Sequence, residues 1–91
     1  MCGQVANMKE ELVKIGIHFR EEKQLDKSEQ VFKDILESDP SFTKALSEFF
    51  ILALQHRHTK NTTKACDIFI AILKLDKNYT QAQEELFDII L

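Results

Sequence analysis

Residues 32–50 read Phe-Lys-Asp-Ile-Leu-Glu-Ser-Asp-Pro-Ser-Phe-Thr-Lys-Ala-Leu-Ser-Glu-Phe-Phe, and residues 69–87 read Phe-Ile-Ala-Ile-Leu-Lys-Leu-Asp-Lys-Asn-Tyr-Thr-Gln-Ala-Gln-Glu-Glu-Leu-Phe. Overlaid at an offset of 37, they match at Phe32/Phe69, Ile35/Ile72, Leu36/Leu73, Asp39/Asp76, Phe42/Tyr79, Thr43/Thr80, Ala45/Ala82, Glu48/Glu85 and Phe50/Phe87. A period of this size marks a stacked helical repeat, in which one unit cannot bury its apolar face alone. Stacked helix pairs mostly present surfaces that hold other proteins, so the period bounds function as well as fold.

The rest of the composition agrees. A chain of 91 residues makes one small domain, near the lower limit at which a core offsets chain entropy. Two Gly, one Pro and no Trp fit helices better than a turn-rich sheet. A net charge of −3 argues against nucleic-acid binding, since phosphate contacts need a basic surface. No apolar run approaches the ~20 residues of a membrane span. The start, Met-Cys-Gly-Gln-Val, has no charged stretch followed by an apolar one, so no signal peptide is expected. Cys2 and Cys66 are too few for a disulfide framework, which points to a reducing, cytoplasmic setting.

Working outward from the repeat, Val5, Met8, Leu12, Ile15 and Phe19 recur at helical spacing, and Val13 and Ile17 widen that stripe. They predict a helix over about 5–22. The polar residues 21–24 read as a tight turn. A second helix follows, with Leu25, Val31, Phe32, Ile35 and Leu36 inward. Asp39-Pro40 closes it, because the residue before proline avoids the helical region. The same dipeptide is expected to open the third helix, with Asp39 as cap and Pro40 in the first turn. That helix carries Phe42, Leu46, Phe49, Phe50, Ile51 and Ala53 and ends near His56. Residues 58–62 read as a loop, with Thr62 or Thr63 capping a fourth helix that buries Ala65, Ile68, Phe69, Ile72 and Leu73 and runs to about Leu75. Residues 79–91 make a fifth. Short connections between helices dictate an antiparallel up-and-down array.

Leu12, Ile15-Gly16, Phe19, Ser28, Phe32, Ile35 and Pro40 stand at spacings that resemble the tetratricopeptide repeat (TPR). Leu46, Phe49, Phe50, Ala53, Ala65, Phe69, Ile72 and Lys77 resemble it less well. Phe50 and Ile35 replace small residues of the pattern, and three extra residues are read between Ala53 and Ala65. The resemblance covers residues 9–77. It implies an all-α fold of antiparallel helix pairs: two TPR-like repeats, about 9–42 and 43–79, and a capping helix, 80–91. Residues 69–91 also resemble the end of the TPR tail of some thioredoxin-like co-chaperones, although the chain has no Cys-x-x-Cys.

In that family the first helices of each pair line a concave groove. The resemblance implies groove positions Glu10, Val13, Ile17 and Arg20, then Lys44, Ser47, Ile51 and Leu54, then Gln81, Glu84 and Asp88. Val13, Ile17, Ser47 and Ile51 fall where related modules hold the acidic tails of Hsp70 or Hsp90, and these side chains lack the charged clamp that grips a terminal carboxylate, so such a tail is not the expected partner. The expected floor is apolar (Val13, Ile17, Ile51, Leu54), with Glu10, Arg20, Lys44 and Glu84 setting orientation at the rim. The expected partner is an amphipathic helix of another protein. The simpler alternative is that Val13 and Ile17 are core. Phe87, Ile90 and Leu91 at the last helix mark a candidate self-association surface, as in a homodimer.

Residues that invite chemistry read as structural. His56-Arg57-His58 with Cys66 lacks the paired short spacing of a zinc site and reads as a solvated turn. His18 is expected at the surface, Cys66 partly buried and Cys2 exposed. Glu10-Glu11, Glu21-Glu22 and Glu84-Glu85 diverge by ~100° on a helix and form no acid/base pair. Glu29 and Lys33 are a four-residue helix pair. No catalytic set, phosphate loop or cofactor motif is present, so the expectation is a non-enzyme with no cofactor and no metal.

Overall fold

The computed structural model describes residues 2–91, with side chains from Met8 onward. It is all-α, with five helices in antiparallel pairs: α1 (Cys2–Glu21), α2 (Leu25–Ser38), α3 (Thr43–His58), α4 (Thr62–Leu75) and α5 (Thr80–Ile90). The expectations for the Val5 and Cys2 side chains lie outside the described residues. None of these helices is long and apolar enough to cross a membrane.

The period of 37 is written in the backbone as well as in the side chains. α1 and α3 end 37 residues apart, α2 and α4 begin and end 37 apart, and α3 and α5 begin 37 apart. After α1, the Gln24 N–H donates to the Phe19 carbonyl at 2.8 Å and the Lys23 N–H to that of Arg20 at 3.0 Å. After α3, Asn61 donates to His56 at 2.8 Å and Lys60 to Arg57 at 3.0 Å. This is a Schellman closure, and its left-handed residue is a lysine both times: Lys23 at φ 63° and Lys60 at φ 69°. Holding a side-chain-bearing residue there costs on the order of 1 kcal/mol, so the flanking helix contacts must impose the turn.

The links between paired helices therefore have equal length. The three extra residues read between Ala53 and Ala65 do not exist, and residues 59–61 repeat 22–24. The closure also puts Gln24 (φ −92°, ψ 68°) and Asn61 (φ −90°, ψ 67°) at the starts of α2 and α4 without a side-chain cap bond. Neither Thr62 nor Thr63 caps α4, because the chain has already turned at Lys60.

The second type of turn also repeats. Asp39 (φ −144°, ψ 85°) and Asp76 (φ −144°, ψ 94°) end α2 and α4. Phe42 and Tyr79 donate back to their carbonyls at 3.1 Å. Pro40 thus sits in a turn, where its fixed φ is suited, and not in the first turn of α3. Asp39 ends α2 and does not cap α3, which starts at Thr43; its carboxylate instead accepts from the Ser41 hydroxyl at 3.1 Å.

By its internal contacts the chain divides into two compact units, Met1–Glu48 and Phe49–Leu91. In the first, α1 packs on α2. Gly16 is the reason they approach closely: a methyl group there would lie 2.6 Å from Cε1 of the fully buried Phe32. Beside it, the buried Ser28 hydroxyl donates to the Gly16 carbonyl at 2.7 Å. Ile35 and Leu36 complete this core, and burying a side chain of this size stabilises by about 1.5–3 kcal/mol. The expected stripe on α1 is not its buried face. Met8, Leu12 and Ile15 are 64%, 38% and 44% exposed, while Val13 and Gly16 are buried.

In the second unit, α4 packs on α5, and Ala65, Ile68, Phe69 and Ile72 are buried as expected. The Phe50 ring lies 5.5 Å from Phe69 and 5.6 Å from Tyr79, centroid to centroid. His56 is not in a solvated turn. It lies within α3, 3% exposed, at the position 37 residues after Phe19.

Candidate functional site

In the first unit, one face of α1 meets the opening turns of α3. Glu10, Val13, Lys14 and Ile17 recur at three- and four-residue steps and so share that face of α1. Opposite them stand Thr43, Lys44, Ser47 and Glu48. Between the two rows lies an open depression of about 410 Å³. Its floor is Val13, which is buried, and Ile17, which is half-buried. Thr43 and Ser47 are exposed and offer hydroxyls to whatever enters.

Charges surround this floor, and the chain has already paired them. Lys44 Nζ lies 2.9 Å from Glu10 Oε1 and Lys14 Nζ 3.1 Å from Glu11 Oε1. Arg20 reaches Glu48 Oε1 at 2.8 Å and also donates to the Glu48 carbonyl at 3.2 Å. The hydrogen bond from Lys44, and then its charge, hold the Glu10 carboxyl below its ordinary range. The pairs run in order along both helices (Glu10 with Lys44, Arg20 with Glu48), so the opening of α3 follows α1 in the same direction.

Of the expected groove residues, the depression brings together Glu10, Val13, Ile17, Lys44 and Ser47, and Arg20 stands beside it through Glu48. Ile51, 41% exposed, and Leu54, half-buried, belong to the second unit. Glu84 is exposed on α5, where it lines another depression, of about 260 Å³, with Gln83, Phe87 and Asp88. The rim residues Glu10, Arg20 and Lys44 were expected to face a partner. They are instead engaged within the chain, because an opposite charge lies in reach of each.

Two features escaped the sequence reading. Lys14, Thr43 and Glu48 complete the lining. Lys14 follows from its helical spacing to Glu10 and Ile17, whereas Thr43 and Glu48 could be placed only once the start of α3 was fixed at Thr43. More telling, Arg57 pairs with Glu85 just as Arg20 pairs with Glu48. Both members are 37 residues apart, so the signal was present in the sequence. Compared with protein-family models, with curated proteins and with solved structures, the chain matches none.

Proposed function

We propose that this chain is a TPR-like protein-interaction module, binding rather than catalytic, and that it holds a partner segment over Val13 and Ile17. The carrying observation is the depression itself: an apolar floor whose surrounding charges are already neutralised by one another. Such a site gains little from a charged ligand and most from burying an aliphatic or aromatic side chain. An amphipathic helix supplies such side chains at matching three- and four-residue steps. The 37-residue repetition of turns, dihedrals and ion pairs supports the repeat-family reading. With Cys66 as a partly buried thiol, a cytoplasmic setting suits the module.

The test is a selection of helical peptides against the intact chain, followed by affinities for Ile17→Glu and for the milder, exposed Ser47→Arg. Both are expected to weaken the selected peptides by about tenfold or more, as loss of a central contact does, with helical content unchanged. Peptides that bind both variants as well as the parent chain would remove the depression from the function.

A further inference from the structure

We propose that the turn between α3 and α4 is a second interaction surface, and that its occupant is an acidic segment of another protein. The turn lies inside the chain, with a helix on each side, and is distinct from the depression over Val13 and Ile17.

The chain's own repeat supplies the comparison. Residues 20–27 read Arg-Glu-Glu-Lys-Gln-Leu-Asp-Lys, and residues 57–64 read Arg-His-Thr-Lys-Asn-Thr-Thr-Lys. The cations stand at the same three places, Arg20/Arg57, Lys23/Lys60 and Lys27/Lys64, on turns closed by the same hydrogen bonds and the same left-handed lysine. The acids do not repeat: the counterparts of Glu21, Glu22 and Asp26 are His58, Thr59 and Thr63. The first turn thus balances its three cations with three carboxylates, whereas the second carries three cations and no carboxylate, in a chain whose net charge is −3. The helices that follow both open without a side-chain cap bond, so their ends are alike and the difference is one of charge.

The second turn is also held in shape. Beyond its backbone closure, the Thr59 hydroxyl lies 3.1 Å from the carbonyls of both Gln55 and His56, and Arg57 is fixed by Glu85. His58, Lys60 and Thr63 are exposed, and Lys60 has no ion-pair partner among the described residues. A preformed cationic turn takes up an anion with little ordering cost, and carboxylates of a partner complement it. The class of occupant follows from what surrounds these charges. Residues 57–64 contain no apolar side chain to enter a lipid surface. Three cations on an otherwise acidic chain do not make the basic stripe that a nucleic-acid backbone needs. A short run of Asp or Glu in a protein segment requires neither.

The probe is a fluorescein-labelled oligoglutamate peptide, titrated with the intact chain at physiological salt and followed by fluorescence anisotropy. His58→Glu with Thr59→Glu and Thr63→Asp gives the second turn the acids of the first, whose backbone already tolerates them, and is expected to weaken binding by about tenfold or more. The reciprocal Glu21→His with Glu22→Thr and Asp26→Thr is expected to bind two peptides in place of one. Thr80→Glu with Gln81→Glu and Gln83→Glu adds the same charge at the far end of α4, beyond the ~8 Å over which exposed charges act, and should change binding by less than about twofold. An equal loss in that last variant would overturn the proposal, as would an unchanged stoichiometry in the reciprocal one, or no measurable binding. Tighter binding of oligothymidylate, or of vesicles containing phosphatidylserine, lost in the first variant, would make a nucleic acid or a membrane the occupant, against the proposal.

Discussion

α1 and α3 occupy equivalent places in successive helix pairs, yet α1 is buried along one face and α3 along two. Met8, Leu12 and Ile15 are exposed on α1, whereas Ala45, Phe49 and Leu52, each 37 residues later, are fully or almost fully buried. Side-chain chemistry does not explain the difference, because the exposed set is as apolar as the buried one. A helix in a stack has two apolar faces, and each is core only where a neighbour covers it. An apolar side chain at the surface is thus no anomaly, and burial is a property of the position in the stack.

Five substitutions would break or sharpen that comparison. The largest effect is expected for Leu52→Ala, which empties a fully buried site and should cost about 2–5 kcal/mol in urea unfolding. Its counterpart Ile15→Ala, at a half-open site, should cost under about 1 kcal/mol. Equal losses would mean that the two faces are equivalent after all. Next is Gly16→Ala, which drives a methyl group into Phe32 and should destabilise by about 1–3 kcal/mol despite the gain in helix propensity. Ala53 already carries that methyl group at the same place in the second pair. There Ala53→Gly should cost only about 1 kcal/mol.

The smallest effect concerns pH. Glu10 is paired with Lys44, whereas the residue 37 positions after it is Ser47, which has no charge to titrate. The Glu10 carboxyl is held below its ordinary value in the folded chain, so its contribution is present above the unfolded value and lost as pH falls through the folded one. Glu10→Gln should therefore lower the urea midpoint slightly at about pH 7 and leave it unchanged at about pH 2. A difference that persists in acid would assign the effect to packing.

The helices and their number were legible in the sequence, because periodic apolar residues and the Asp39-Pro40 break encode them locally. Which face of α1 is core was not legible: Leu12 and Val13 are both aliphatic, and only the approach of Phe32 to Gly16 decides between them. His56 was misread for the opposite reason, since its letter is polar while its position, 37 residues after Phe19, is buried. For the candidate site, the α1 residues were recovered from helical spacing. The pairing of Glu10, Arg20 and Lys44 was not, because it depends on where α3 begins, and the proline turn delays that start to Thr43.

The matched dihedrals at Gln24 and Asn61 carry a consequence for building with this chain. Both residues have the same local backbone geometry, so a segment excised between them begins and ends on interchangeable joints. A second copy of residues 25–61, spliced in after Asn61, would meet a junction that the chain already makes, and the molecule would lengthen by one helix pair without any newly designed turn.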